Sequence, residues 1–490
     1  MTYYLLHARQ PSAIRLLRRV RRLHQYVSSS VVTSSDTVIR WGQLKESDPP
    51  LGYVLNPETS LTRVRSRGIV GRLLQRFGVR FLPLDKSGEA TDIQIVRQYR
   101  FPVFDLKALA CFRADHGPAW INRRIQRVQE SFREVDFDSE KVNTRAMWLA
   151  LRSLHTLGLD HGLVSIGMTQ KGVLYVLDVT VTPVLAGRLL ELYTQAIEDM
   201  MDGEESRDPE EPPQLQLGTD VELMLRNAQG KMVLASRYAT RTGRVGCDDR
   251  SIQFDGKRLP LLELRPDPSP NPAGLLMNLR DTMLEGLDLI PAPKIEWRAG
   301  SMPFRPFCTG GHIHLSGISY SSRLVRVLDN YLGLLTMMVE DPVTARLRRP
   351  RYGFLGDVRF KQHGGFEYRT PASFVVSKEV TVAALTLAYV VARYSHHLPV
   401  FDLYEPGLQS AFYQGQSPIL RPIAQRNMGF LRGLPNFAQY RDALEPLFDM
   451  IEQGQYWDEQ VDVRKVWGLP VVEKSQTTRR SNRVGVRVSL

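Results

Sequence analysis

Along the first 200 residues the hydrophobic pattern switches between a period of two and a period near 3.6, which predicts alternating strands and helices. YYLLHA (3–8) reads as a strand and SAIRLLRRVRRLHQYV as a helix. VVTSSDTVIRWG carries the next strand. SRGIVGRLLQRFGV is a helix ending near Gly78, and FLPL then extends. IQIVRQYRFPVFDLKALACFR reads as two strands. Val142 to Leu157 is an amphipathic helix, LVSIGMT and GVLYVLDVTV form a hairpin around Lys171-Gly172, and a helix from Ala186 to Met201 closes the half. MDGEESRDPEEPPQLQ follows, acidic, proline-containing and without periodicity, so 204–215 is the expected linker. Beyond it, helices are expected at Asn271–Leu287, Ser321–Val339 and Lys378–His396. Residues 406–472 read as loops and short helices, and 473–490 as a mobile basic tail.

Within the second half, four pairs of polar residues stand at i, i+2 inside apolar stretches. They are Asp220/Glu222 in GTDVELML, Glu263/Arg265 in LPLLELRP, His312/His314 in GGHIHLS and Glu367/Arg369 in GGFEYRTP. Residues two apart in a strand share a face. Four such strands read as one polar face over a buried sheet, suited to divalent cations and a phosphorylated ligand. Magnesium takes hard oxygen ligands and bridges carboxylates to phosphates. Asp220, Glu222, Glu263 and Glu367 supply four carboxylates, and Asp248 in GCDDR a fifth. Packed together they would raise each other's pKa unless cations offset them. Arg265, Arg351, Arg359 and Arg369 are planar donors for phosphate or carboxylate. The glycine pairs before His312 and at Gly364-Gly365 would let a ligand approach the backbone. Taken singly, each pair reads as a solvated strand position or a surface ion pair; the joint pattern is what points to a site. An HxH alone suggests zinc, but no third soft ligand is near.

Bulk properties narrow the class. At 490 residues the chain exceeds one ordinary core. The longest apolar run, Val380 to Val391, is too short to span a bilayer and reads as a buried helix. Three distant cysteines, Cys111, Cys247 and Cys308, fit a reducing cytoplasm, in a bacterial or phage-infected cell. The arginine-rich start mimics a transit peptide, but YYLLHA argues for a first strand instead. Net charge is +12, gathered near Arg15–Arg22, Arg346–Arg351 and Lys474–Arg487. These stretches are poor in aromatics, so they do not point to nucleic acid.

GTDVEL, VGCDD, ELRPDPSPNP, GGHIHL and RRPRYGFLGDVRFKQHGGFEYRTPASF, in this order, resemble the phage-type carboxylate–amine ligases, or amidoligases, of the glutamine synthetase and glutamate–cysteine ligase superfamily. The resemblance covers roughly Leu217 to His397. It implies a curved antiparallel sheet that binds ATP and two or more Mg2+, and an acyl phosphate attacked by an amine. It implies metal ligation by Asp220, Glu222, Asp248, Glu263, His312 and Glu367. His312, His314, Arg265 and Arg351 would serve the nucleotide, with the choice between the two histidines open. Arg351 and Arg359 would hold the transferred phosphate, and Arg369 the acyl carboxylate. Substrates would be a carboxylate and an amine, as amino acid, peptide or polyamine; related synthetases often form rings, so an oligomer is compatible.

VIRWG, LNPETSLTRVRSRGIVGRLLQRFGV, RQYRFPVFD, LGLDHGLVSIG and VLYVLDVTVTPVLAG resemble an ATP-grasp ligase that has lost key residues. The family's Glu-x-Asn pair reads Asp178-Val179-Thr180, its metal aspartate reads Ser165, and its lysine reads Arg67. Between Leu82 and Asp92 the chain is too short for the nucleotide-covering subdomain. The expected class is therefore α+β: a glutamine-synthetase-like antiparallel sheet with helices in 216–405, preceded by a degenerate α/β ATP-grasp-like domain in 1–203. The competing reading is a catalytically silent structural or binding protein, for instance phage- or virion-associated, that keeps the ligase fold. The intact pairs argue against it.

Overall fold

The computed structural model describes residues 1–490 apart from 28–29, 43–45, 83–92, 122–131, 206–213, 291–293, 362–363 and 471–490. The expected linker, the basic tail and the short Leu82–Asp92 connection therefore lie mostly outside the described residues. Among those described, the strands form three sheets.

The first sheet is parallel. β1 (Tyr3–His7) is followed by α1 (Pro11–Arg19), β2 (Leu23–Gln25), β3 (Thr37–Trp41) and β4 (Tyr53–Leu55), in the order β2-β1-β3-β4. Two helices, α2 (Glu58–Thr62) and α3 (Arg67–Arg76), lead on. The second sheet is antiparallel. It contains β5 (Ile93–Phe104), β6 (Lys107–Ala108), β7 (Cys111–Ile121), β8 (Arg133–Val135), β9 (Gly162–Thr169) and β10 (Leu174–Thr180), with α4 (Lys141–Thr156) packed on it. α5 (Arg188–Glu205) returns to cover the first sheet beside α1, burying Tyr193, Ile197 and Met201.

The third and largest sheet carries the polar pairs. It is built from β11 (Gln216–Arg226), β12 (Met232–Val233), β13 (Val245–Cys247), β14 (Leu261–Leu264), β15 (Glu296–Arg298), β16 (Gly311–Ser316), β17 (Val358–Phe360) and β18 (Phe366–Tyr368). The order is β13-β14-β11-β16-β18-β17, with β12 and β15 also paired to β11, and every pairing is antiparallel. Val221, Leu223, Leu262, Leu264, Ile313, Leu315, Phe366 and Tyr368 point to one face and enter the main core.

That core is closed by helices. α6 (Pro272–Leu289) starts at Asn271, whose side chain accepts from the Gly274 N–H at 2.8 Å, with Pro272 pre-set for the first turn. α7 (Ser322–Leu328), a single π-turn (Asp329–Gly333) and α8 (Leu334–Met337) run as one rod, and α9 (Pro342–Arg348) follows. α10 (Lys378–Arg393) buries Val380, Leu385, Leu387, Val390 and Val391, as the apolar run predicts.

The region 406–472 differs from the expectation of loops and short helices. It holds α11 (Pro406–Tyr413), α12 (Ser417–Arg432), α13 (Arg441–Gln453) and α14 (Val463–Val466), and α12 and α13 are 16 and 13 residues long. α13 packs on α10, and Leu420, Met428, Leu447 and Phe448 join the same core. Pro422 and Pro446 stand inside these helices, which is why their helical period was hidden.

The two halves meet along a seam of buried polar contacts. Arg326 on α7 donates from Nε to Asp160 at 2.8 Å, and Asp105 accepts from the Ser322 N–H at 2.7 Å. Arg63 pairs with Asp402. Asp329, in the π-turn, is fully buried and accepts from Tyr404 OH at 2.7 Å and from Tyr368 OH and the Gly356 N–H at 2.8 Å; His155 Nε2 of α4 lies 2.8 Å away. Gly356 has φ +69°, and a Cβ there would stand 2.1 Å from the His155 ring. Only glycine admits this approach.

Candidate active site

Register brings the four pairs to the face opposite the main core. Asp220 on β11 stands across from His312 on β16, and Glu222 across from Glu263 on β14. His314 stands across from Glu367 on β18, and Glu367 across from Arg359 on β17. Two sets of side chains each converge to within 4.8 Å: Asp220, His314 and Glu367, and Asp220, Glu263 and His312. Asp220 is common to both.

Cationic side chains offset the carboxylates. Arg250 reaches Glu222 at 2.5 Å and Asp248 at 2.6 Å, and donates to Cys308 O at 2.9 Å. Lys361 Nζ lies 2.8 Å and Arg369 Nε 3.0 Å from the Glu367 carboxylate. His312 Nδ1 is 3.1 Å from Glu367, and His314 Nε2 is 3.0 Å from Asp220. Arg265 contacts Glu263 and donates to the carbonyls of Gly243 and Cys247. It is thereby held to its own strand's neighbours.

The electrostatics follow from this packing. Burial pushes the Glu263 carboxyl up to about 8; Arg265 pulls it back, and the Asp220, Glu222 and Asp248 charges push it further. Burial also raises Glu222, against Arg250. Asp220 goes the other way: burial would raise it, but the His314 hydrogen bond and the charges of His314, Lys361 and Arg265 hold it low. His312 is driven well below its ordinary value by burial and by Arg369, Arg250 and Arg348, so it is a neutral imidazole.

The donor set suits a divalent cation. Glu222 stands outside both convergent sets, but its Oε1 is buried and accepts no hydrogen bond, and the neutral His312 imidazole and Asp248 line the same cavity. A hard cation would supply the missing partner.

Not every expected residue joins this face. Arg351 is exposed and lines a second cavity instead. The basic run around it divides by burial: Arg348 is buried and donates to the Thr370 and Pro371 carbonyls at 2.8 and 2.9 Å, and Arg349 pairs with Glu340 in the core. The glycine pairs also have a different use. A Cβ on Gly311 would meet Ala372 O at 2.5 Å, and the Gly310 N–H donates to Glu222 at 2.8 Å. Gly364-Gly365, both at positive φ, make the turn between β17 and β18. Close backbone packing and a hairpin need these glycines, whatever ligand is bound.

Three participants were missed in the sequence: Arg250, Lys361 and Asp357. Asp357 is buried beside Arg369, with a carboxyl raised by burial. Asp357, Arg359 and Lys361 are themselves spaced by two, so the alternation that revealed the other pairs marks these also. A cavity of about 210 Å³ lies over the face, lined by Glu222, Asp248, Arg250, His312, Asp357 and Arg369 among others.

In the first half, Asp178 stands across from Ser165, with the Thr180 hydroxyl donating to Asp178 at 2.7 Å. Arg67 lies over the Phe81 ring at 5.5 Å; burial lowers its pKa and Asp178 raises it. Both convergent ligand sets lie in the large sheet.

Residues 217–469 match the family of phage phiEco32-like COOH.NH2 ligase-type 2. The chain belongs to this family. The matched span runs from β11 to just past α14, so this carboxylate–amine ligase unit includes the C-terminal helices as well as the large sheet. No curated protein matches the chain. Solved structures similar to part of it include the macrocyclase MdnC of Microcystis aeruginosa bound with precursor peptide MdnA, at 8% identity and TM-score 0.28, covering 41% of this chain and 99% of that one. The ATP-grasp ligase PsnB with minimal precursor, Mg and ADP follows at 9% identity and TM-score 0.28, covering 40% and 96%. Macrocyclase MdnB of Microcystis aeruginosa is at 11% identity and TM-score 0.26, covering 41% and 99%. Among the described residues no helix is long and apolar enough to cross a membrane.

Proposed function

We propose that this ligase joins a carboxylate to an amine at the expense of ATP, through an acyl phosphate, at the polar face of the large sheet. The observation that carries the reading is the meeting of two ligand sets on Asp220, with arginines at their edge. Asp220, Glu222, Glu263, His312, His314 and Glu367 would hold divalent cations, magnesium being the fitting ion, and Asp248 would join through its shared contact with Arg250. Bound there, such ions neutralise phosphate charge and align the phosphoryl group.

The chain's own residues do the rest. Arg359 and Arg369 line the cavity over the carboxylates and would hold the equatorial oxygens of a transferring phosphoryl group or the acyl carboxylate. Arg250 pairs with Glu222 at 2.5 Å, and Lys361 with Glu367 at 2.8 Å. Were these carboxylates to bind a cation instead, one guanidinium and one ammonium would be freed for phosphate. The attacking amine must lose a proton; Asp357, buried at the mouth and with a raised carboxyl, is the candidate acceptor. Arg351 would act from the second cavity. A cytoplasmic setting fits the three free, buried cysteines.

The test is phosphate release by purified protein with ATP and magnesium, offered mixtures of carboxylates (amino acids, peptides) and amines (amino acids, polyamines). Turnover should need both an acid and an amine, and should fall at least a hundredfold in Glu222→Ala and Glu367→Ala. Wild-type protein that fails to bind ATP–magnesium at all would overturn the reading and favour the silent binding protein.

A further inference from the structure

A larger cavity, of about 520 Å³, opens between the halves and shares Tyr352, Asp357, Arg359 and Arg369 with the cavity over the carboxylates. Its volume is within the range of small-molecule pockets, about 300–1,000 Å³. One wall belongs to the first half, with Arg80 before β5 and Arg145, Trp148 and Arg152 on α4; the other is the loop from Arg351 to Arg359.

The charge on these walls is lopsided. Six arginines line the cavity: Arg80, Arg145, Arg152, Arg351, Arg359 and Arg369. The lining carries one carboxylate, Asp357, and the imidazole of His155 is turned to Asp329. Arg152 is occupied, donating to Pro350 O at 2.9 Å and lying 3.8 Å from the Phe354 ring centre. Arg369 is paired with Glu367. Among the described residues Arg80, Arg145, Arg351 and Arg359 make no ion pair within 4 Å, although the Asp357 carboxylate feels the Arg359 charge. These four guanidiniums are exposed, so water and salt screen their repulsion, and an anion with several carboxylates seated among them would still be attracted by all four. Between them stand apolar surfaces: Trp148, Leu149, Tyr320 and Phe354, with Trp148 and Tyr320 braced by Phe360 at 5.4 and 4.7 Å between ring centres.

We propose that this cavity receives the acyl substrate, and that this substrate is an acidic peptide end carrying at least two carboxylates beside apolar groups. The inference rests on the ligase reading and deepens it. One carboxylate is presented to Arg359 and Arg369 at the shared rim, where the two cavities join. The further carboxylate is held by Arg80, Arg145 and Arg351, and the apolar part lies against Trp148 and Tyr320. The first half thereby has a task independent of ATP: it supplies two of the three arginines that select an acid longer than a single amino acid.

Calorimetric titration with tetraglutamate and tetralysine, at low and at physiological salt, tests this in the full chain. Tetraglutamate should bind, more weakly at higher salt, and tetralysine should not. The double variant Arg80→Glu/Arg145→Glu should lose at least tenfold in tetraglutamate affinity while its affinity for ATP–magnesium is unchanged. Arg18→Glu/Arg19→Glu, on the exposed side of α1, should bind tetraglutamate like wild type, which separates a site from general attraction to a basic protein. Equal affinity in Arg80→Glu/Arg145→Glu and wild type overturns the proposal. So does a tenfold loss of ATP affinity with tetraglutamate unaffected, which would make the cavity a nucleotide pocket. Glu222→Ala separates this from the ligase reading: it should abolish turnover and keep tetraglutamate binding. Turnover on other acids without tetraglutamate binding would refute the inference alone.

Discussion

Replacing Arg349 by Met should be among the most damaging single changes in the ligase unit, although Arg349 touches neither cavity. Arg349 and Glu340 are both fully buried and joined by two hydrogen bonds of 2.7 Å. The Ser301 hydroxyl donates to the same carboxylate at 2.8 Å, and Arg349 Nε donates to Gly353 O at 3.0 Å. Removing the guanidinium leaves a carboxylate in the core with a single hydroxyl partner. Breaking a buried pair from one side costs about 3–5 kcal/mol. For a unit of this size that is on the order of 10 °C in melting temperature. Glu340→Leu/Arg349→Met, which removes both charges, should recover most of the loss.

The pH dependence has a definite sign. Burial would raise the Glu340 pKa, but Arg349 outweighs it and holds the carboxyl below its ordinary 4.5. The pair's contribution is thus complete above about 4.5 and is lost as pH falls through the lower, folded value. Scanning calorimetry at pH 7 and pH 4 should therefore show the gap between wild type and Arg349→Met narrowing in acid. An Arg349→Met melting point within 2 °C of wild type at pH 7, or a double variant no better than the single one, would refute the reasoning. Activity should fall with stability, because Gly353, the partner of Arg349 Nε, begins the turn that leads to Asp357 and Arg359.

Three further outcomes follow from the geometry. With the Glu263 carboxyl near 8, the metal-free protein at pH 7 carries a proton there that a cation must displace; magnesium affinity should weaken about tenfold per pH unit below 8, with proton release seen as buffer-dependent heat, and a pH-independent affinity would contradict it. Gly356→Ala should lower the melting temperature by several degrees, since its Cβ meets the His155 ring, whereas Gly364→Ala, with nothing within 4 Å, should cost only the left-handed backbone, about 1–2 kcal/mol; equal losses would dismiss the clash. Asp160→Ala strands Arg326 in the seam and should cost about 3–5 kcal/mol by thermal melting, and a neutral effect would show that the seam is wet.

Much of the ligase unit was legible in the chain because strand alternation is local. Asp220/Glu222 and His312/His314 announce their shared face with no knowledge of pairing, and the register then sets Asp220 opposite His312, Glu222 opposite Glu263 and His314 opposite Glu367. The same rule, extended one strand further, covers Asp357, Arg359 and Lys361. Arg250 was hidden because it acts from a loop, where no period assigns a direction to a side chain. Arg348 and Arg349 looked like a solvated basic loop because burial of an arginine depends on partners outside the run itself, here Thr370 and Glu340. α12 and α13 were obscured by Pro422 and Pro446, whose local cost is outweighed by packing on the core. The seam could not be read at all: Asp160 and Arg326 are 166 positions apart.

That seam bears on how the chain can be divided. Asp329 takes four polar partners, one of them from the first half, and Arg326 spends its charge on Asp160. Cutting between residues 205 and 216 would leave Arg326 without its carboxylate, and would remove the wall of the larger cavity that α4 supplies. The family match at 217 and 469 thus marks a stretch of shared ancestry, and a fragment cut at those boundaries should melt below the full chain, having lost Asp160 and His155 from the seam. A crystallographer or engineer choosing where to truncate would do better to keep the first 200 residues as a permanent splint, and to trim elsewhere.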